Sequence, residues 1–257
     1  MIRVTRTRLT AVSVGFILLL AISLYAFHVF EQFLIRDARF ALPQKPLASG
    51  TSNDTIRISG ISHASRRAIE AVFNEDASRS LYLMPMQERL DSLRTVAWVR
   101  DASIARVWPN RLIVNVSERT PVAFITLQNG RFGLIDADGI ILPTAKDKFT
   151  LPVLTGVKPS EDLEHRRQAV QRMLGLVSEL RDATKDISEI DVAKPDNIVV
   201  SRLYGGRMRK LMLGDRDYKQ RYENFVNHFA EIETKVPGAR IIDLRLEDRI
   251  TVVEAVE

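Results

Sequence analysis

The 257-residue chain contains no cysteine. This excludes disulfides, thiolate metal sites and a cysteine nucleophile. Any exported domain must therefore be held by its apolar cores alone, which units of roughly 60 to 130 residues can manage. Histidine is scarce too: His28, His63, His165 and His228 are scattered and show no metal-ligand spacing. Of these, His28 falls at the end of a long apolar run, and the other three read as surface residues of helices. There is no His-Glu-x-x-His, no phosphate-binding glycine loop and no Gly-x-Ser-x-Gly elbow. A concentrated basic stripe with interleaved aromatics is also missing. The net charge of +5 arises from Lys and Arg mixed with Asp and Glu along the chain, which argues against nucleic acid as a partner. Carboxylates are plentiful, so an acid pair assembled by folding remains open. Asn53-Asp-Thr and Asn115-Val-Ser match the glycosylation sequon, which matters only in a eukaryotic secretory pathway.

What is present begins with Leu9 to Phe30, a run with no formal charge. As a helix it spans roughly 33 Å, enough for a hydrocarbon core of about 30 Å. Arg3, Arg6 and Arg8 precede the run, whereas Glu31, Arg36, Asp37 and Arg39 follow it as a mixed set. The positive-inside rule then leaves residues 1–8 in the cytoplasm and exports the rest. Tyr25, Phe27, Phe30 and Phe33 sit where an outer aromatic belt belongs. A cleaved signal peptide is disfavoured, because the run is too long and ends in bulky residues rather than small ones. Residues 31–55 read as a linker, rich in Pro, Gly and Ser over 40–55.

Residues 56–119 read as a small α+β domain. Ile56 and Ile58 lead to Gly60. Ser62 is placed to cap a helix whose face is Ala64, Ala68, Ile69, Val72 and Phe73. A second helix carries Met86, Leu90, Leu93 and Ala97. Two strands, 99–107 and 111–117, are joined at Pro109-Asn110, and Leu112, Val114 and Val116 alternate as a half-buried strand requires. Strand, helix, helix, strand, strand is a sheet with helices on one face. Trp98 and Trp108 bracket the first of the paired strands and are read as packing residues, with a peptide-binding surface as the alternative.

Residues 120–257 read as a mixed β domain with two helices on its sheet. Pro121–Leu127 and Arg131–Ile135 flank Asn129-Gly130 as a hairpin. The spacing of Asp136-Ala137-Asp138-Gly139 also begins a calcium loop, but the closing glutamate is missing, and a turn before Ile140-Ile141-Leu142 is favoured. Helices are expected over 161–181, with Leu163, Val170, Met173, Leu174, Val177 and Leu180 on one stripe, and around Tyr218, Tyr222, Phe225, Val226, Phe229 and Ile232. Ile198–Leu203 and Arg207–Leu213 form a second hairpin about Gly205-Gly206. Two final strands, 239–245 and 249–254, end close to residue 257. A terminal strand at a sheet edge offers unpaired backbone groups to a partner's strand, unless it is merely solvated or blunted by Asp248 and Arg249.

Taken in order, Arg57-Ile-Ser-Gly60, Val96-Ala-Trp-Val-Arg-Asp-Ala102, Arg106-Val-Trp-Pro-Asn110, Leu112-x-Val-x-Val116, Glu118-Arg-Thr-Pro-Val-Ala123, Leu134-Ile-Asp-Ala-Asp-Gly139, Leu213-Gly214 and Asp243-Leu-Arg245 resemble the FtsQ/DivIB family of bacterial cell-division proteins. The resemblance covers essentially the whole chain. It implies an α+β architecture of transmembrane helix, βααββ POTRA domain and β domain. It also implies an inner-membrane protein of the division septum with no catalytic activity, cofactor or metal. Such a scaffold recruits and regulates septal wall synthesis through FtsB- and FtsL-type partners and other divisome components. In that family the last β-strand pairs with a strand of the FtsB-type partner, which carries over to Arg245, Leu246, Asp248 and Ile250 as residues in or beside the edge. This chain departs from the family in having Leu246-Glu-Asp-Arg249 after Asp-Leu-Arg, where a Tyr and a Gly-containing turn are common. The alternatives are a membrane-anchored cell-wall hydrolase and a POTRA-type secretion component. The latter calls for a membrane β-barrel with many strands, for which the chain is too short.

Overall fold

The computed structural model describes residues 6–43, 55–128, 130–145, 147–246 and 249–255. The chain divides into two compact units, Met1–Glu118 and Arg119–Glu257.

The first unit opens with helix α1, Arg6–Arg36. Its stretch from Val12 to Arg36 is long and apolar enough to cross a membrane. The helix runs six residues past Phe30, into the segment that composition assigns to a linker. Glu31-Gln-Phe-Leu-Ile-Arg36 contains no helix breaker, and the next proline is Pro43. The helix gives way to a single 3-10 turn, Ala38–Phe40, where the Asp37 carboxylate accepts the Arg39 N–H at 2.9 Å.

Strands β1 (Ile56–Ser59), β2 (Val99–Val107) and β3 (Arg111–Glu118) form a sheet in the order β1-β3-β2. β1 runs parallel to β3 with Ile56 opposite Leu112 and Ile58 opposite Val114, and β2 is antiparallel to β3. Helices α2 (Arg66–Ala71) and α3 (Met86–Arg94) lie between β1 and β2 in the chain. Ile56, Ile58, Ile69, Phe73, Leu81, Leu93, Leu112 and Val114 are buried together with Trp98. Two expectations are corrected here. The cap of α2 is Ser65, whose Oγ accepts the Ala68 N–H; Ser62 lies three residues earlier, in the loop whose N–H groups Glu118 binds. Ala97 is exposed and lies beyond α3, which stops at Arg94 before Trp98 turns in with a φ of 72°. At Gly60 (φ 78°) an added Cβ would lie 2.0 Å from the Val116 carbonyl oxygen, so only glycine lets β1 leave so close to β3.

The second unit is a mixed sheet of nine strands among the described residues. In chain order they are β4 (Pro121–Thr126), β5 (Phe132–Asp136), β6 (Ile141–Leu142), β7 (Val153–Thr155), β8 (Ile187–Lys194), β9 (Asn197–Tyr204), β10 (Arg207–Gly214), β11 (Ala239–Asp243) and β12 (Thr251–Ala255). Their order across the sheet is β12-β11-β10-β9-β8-β7-β4-β5-β6. Helices α4 (Leu163–Leu180) and α5 (Tyr218–Lys235) connect β7 to β8 and β10 to β11. Their buried residues, including Val170, Met173, Leu176, Phe225 and Ile232, join Ile190, Val200, Leu211 and Ile242 of the sheet in one core. Asp162 caps α4, accepting the His165 N–H at 2.8 Å. On that helix Ala169 and Leu176 are buried while Leu163 stands exposed, a rotation of the expected stripe.

β7 and β8 are absent from the sequence reading. β7 has only three residues, too few to show a period. In β8 the register shifts between Ile187 and Glu189, so Ile187, Ile190 and Val192 are buried without strict alternation. The last two strands are also shorter than expected: residues 244–245 and 249–250 lie outside them. Asn129 of the expected hairpin turn lies outside the described residues.

Candidate partner-binding edge

β11 hydrogen-bonds to β10 in parallel, with Lys210 opposite Ile241 and Leu211 opposite Ile242. β12 returns antiparallel to β11, with Ile242 opposite Val252 and Asp243 opposite Thr251. Among the described residues no strand pairs with the other side of β12. Along Thr251–Ala255 the backbone donors and acceptors that point away from β11 therefore form an open row. Val252 packs partly buried against the core, whereas Thr251 and Val253 face out and Val253 is 59% exposed. This is the alternation of a half-buried strand.

The inner support of that edge comes from a buried arginine. The Arg209 side chain is fully buried, pairs with Glu233 of α5 at 2.5 Å, donates from Nε to the Tyr204 carbonyl at 3.1 Å and from Nη1 to the Ala239 carbonyl, and stacks over Phe229. A single guanidinium thus ties β10 and α5 to the first residue of β11. At the other end of β10 an added Cβ on Gly214 (φ 79°) would lie 2.2 Å from Arg221 Nη1, which donates to the Leu213 carbonyl at 2.6 Å.

The turn between β11 and β12 is set by Asp243, Leu244 and Arg245. Leu244 is buried and its N–H donates to the Met212 carbonyl at 2.9 Å. The Arg245 guanidinium forks onto the Asp243 carboxylate at 2.9 and 2.7 Å, and the Arg245 N–H reaches the same carboxylate at 3.0 Å. The side-chain bonds from Arg245, opposed by burial and helped by its backbone N–H, hold the Asp243 carboxyl below the ordinary carboxylate range.

Of the sequence-derived edge residues, the structure places Arg245 and Leu246 in this turn, with Leu246 half exposed, and Ile250 just before β12, partly buried against the core. All three lie beside the strand rather than on it. Asp248 lies outside the described residues. Thr251 and Val253, missed by that reading, carry the outward side chains, and the alternation Thr251-Val252-Val253 is the signal that marks them. Ile250 and Arg249 also line a depression of about 490 Å³ against Asn224, His228, Glu231 and Lys235 of α5.

Elsewhere, polar groups of the sequence motifs are engaged in holding the chain. The Glu118 carboxylate accepts N–H bonds from Ser62, His63 and Ala64 at 2.7 to 2.9 Å and meets His63 Nδ1 at 3.0 Å. His63 is not on a helix, contrary to expectation; it is half-buried and stacked on Trp98. Asp136 accepts the Asp138 and Ile140 N–H groups through Oδ1 and pairs with Arg119 at 2.6 Å through Oδ2. That is the geometry of a side-chain-closed turn. Of the two tryptophans, Trp98 is core, and Trp108 is half exposed with one edge packed against Phe40.

A membrane-length helix, a small βααββ unit and an edge-terminated mixed sheet define a membrane-anchored protein of the POTRA-bearing class. The model for the FtsQ-type POTRA domain matches residues 52–119, and that for the C-terminal region of cell division protein FtsQ/DivIB matches residues 123–245. The chain belongs to the FtsQ/DivIB family of cell-division proteins. Relatives described as cell division protein FtsQ include one from Koribacter versatilis, 32% identical over 77% of this chain, one from Geotalea daltonii, 27% identical over 60%, and one from Zymomonas mobilis, 28% identical over 50%. The matches span 59%, 58% and 42% of these relatives' own lengths. The C-terminal match stops at Arg245, so β12 lies past it.

Proposed function

We propose that this protein is a non-catalytic scaffold of the bacterial division complex, which recruits and regulates septal wall synthesis by binding FtsB- and FtsL-type partners. It is anchored in the inner membrane at the septum, with Arg3, Arg6 and Arg8 on the cytoplasmic side and both folded units exported. Arginines before the span and mixed charge after it support this orientation. The observation that carries the reading is β12, which among the described residues is the last strand and is paired on one side only, with Thr251 and Val253 exposed. A partner strand added there gains main-chain hydrogen bonds, and Arg245, Leu246, Asp248 and Ile250 flank it as side-chain contacts.

The test is titration of the full chain, held in lipid nanodiscs, with an FtsB-type partner peptide. A charge at an exposed position beside a pairing edge opposes docking, so Leu246→Glu is expected to weaken binding at least about tenfold, or 1.4 kcal/mol. Unchanged affinity would remove support for the edge site. Depletion of the protein is expected to give filamentous cells, and normal septation without it would refute the divisome role.

A further inference from the structure

The end of α1 is built into the first unit. Ser80 Oγ donates to the Leu34 carbonyl at 2.7 Å, and Tyr82 Oη donates to Glu31 at 3.3 Å. The N–H of Leu42 reaches the Arg79 carbonyl at 3.1 Å, and the Ser78 N–H returns to the Leu42 carbonyl at 2.8 Å. Rings continue the joint: Phe33 meets Phe40 edge-on at 5.5 Å, and Phe40 meets Trp108 edge-on at 5.6 Å. The unit is therefore docked on its membrane helix.

Depth along the helix says what that joint touches. A hydrocarbon core of about 30 Å takes roughly 20 residues, so a span starting at Leu9 ends near His28. Glu31 and Leu34 then stand about 5 to 9 Å further out, within or at the edge of a headgroup layer some 5 to 8 Å deep. The Ser80–Leu83 turn, bonded to both, sits at that depth. The large apolar side chains that the described part of this unit exposes outside α1 are Leu83, at 47%, Val107, at 37%, and Trp108, at 48%. All three belong to the two segments joined to the end of α1. Arg36 at the end of α1, Arg39 on the turn after it and Arg79 beside Ser80 are exposed, Arg39 with its guanidinium forked onto Asp37. Tryptophan beside arginine suits the bilayer interface, where a ring is half apolar and half wet and phosphates accept guanidinium bonds.

We infer that this face is a lipid-binding surface: Leu83, Val107 and Trp108 enter the headgroup layer of the membrane that α1 crosses, and the POTRA domain lies against the bilayer instead of hanging free. The inference rests on α1 being membrane-embedded and is independent of what binds β12.

Only two tryptophans are present, and Trp98 is buried, so lipid quenching reports on Trp108. The full chain is reconstituted in phosphatidylethanolamine–phosphatidylglycerol vesicles, with and without lipids brominated near the headgroup. Emission is expected to fall in brominated vesicles, by up to about half, the share of one of two rings exposed at the interface. In Trp108→Phe the fall should largely vanish. A Phe27→Trp reporter in the Trp108→Phe background checks the anchor. If that reporter is quenched while the wild-type chain is not, the surface is refuted and the anchor stands. If neither is quenched, α1 is not in the bilayer and both readings fail.

Discussion

Glu118 and His63, far apart in sequence, meet at 3.0 Å, with the same carboxylate closing over the N–H groups of Ser62, His63 and Ala64. The last residue of β3 thereby holds the loop that leads from β1 into α2. Burial raises the Glu118 pKa, but the bonds from Ala64, Ser62 and His63 outweigh it, and the carboxyl titrates below its ordinary value. A carboxylate depressed in the folded state contributes stability that is full above its unfolded pKa and lost as pH falls through the folded one. Protection of β1 and β3 amides against hydrogen exchange is therefore expected to decline below about pH 4.3. In Glu118→Gln that decline should be weaker and protection at pH 7 lower by about 1–3 kcal/mol, since a neutral amide oxygen replaces the anion. Equal pH profiles in the two chains would remove Glu118 as the cause.

Gly60 makes a sharper steric demand. With φ at 78° and the Val116 carbonyl 2.0 Å from where a Cβ would stand, Gly60→Ala must open the β1–β3 pairing or twist the turn. A loss in the first unit greater than the roughly 1–2 kcal/mol of an ordinary left-handed penalty is expected. Exchange protection at Ile58 and Val114 reads this directly, and wild-type protection would show that the backbone relaxes at no cost.

These two positions show what sequence pattern transmits. Strict alternation survives in β3, where Leu112, Val114 and Val116 face one core, and that strand is legible residue by residue. Residue type alone marks Gly60 and Glu118 as notable, but their partners lie across the fold and no local period reports them. β8 is invisible because its bulge breaks the alternation, and helix α4 is rotated because Ala169, a small residue, takes a core position. At the edge, the presence of a terminal strand is legible. Its position in the sheet order depends on β11 pairing parallel with β10, which requires the α5 crossover.

Arg209 is a case where chemistry and burial conflict. A fully buried guanidinium is tolerated because Glu233 and the carbonyls of Tyr204 and Ala239 surround it. In Arg209→Ala the Glu233 carboxylate loses its partner and a cavity opens between α5 and the β10–β11 pair, so a loss of about 3–5 kcal/mol is expected. Arg209→Lys should recover only part, because one ammonium cannot reach three acceptors in a planar fork. Chemical unfolding of the second unit, followed by Tyr and near-UV signals, measures both. A lysine variant as stable as wild type would contradict this account of the joint.

At the edge itself, burial separates two apolar residues that stand three positions apart in the sequence. Ile250 is partly buried against the core, while Val253 stands 59% exposed on β12. A glutamate at 250 must leave apolar contacts, so Ile250→Glu is expected to lower stability by about 1–3 kcal/mol and to weaken strand addition by fraying β12 as well as by removing its own contact with the partner. A glutamate at 253 meets solvent, so Val253→Glu should leave unfolding unchanged while opposing association at the open edge. Measured together, stability and partner affinity should move in both respects for the first variant and in affinity alone for the second. Were Val253→Glu to bind normally while Ile250→Glu bound poorly at full stability, the depression beside α5, rather than the free backbone of β12, would be the contact surface.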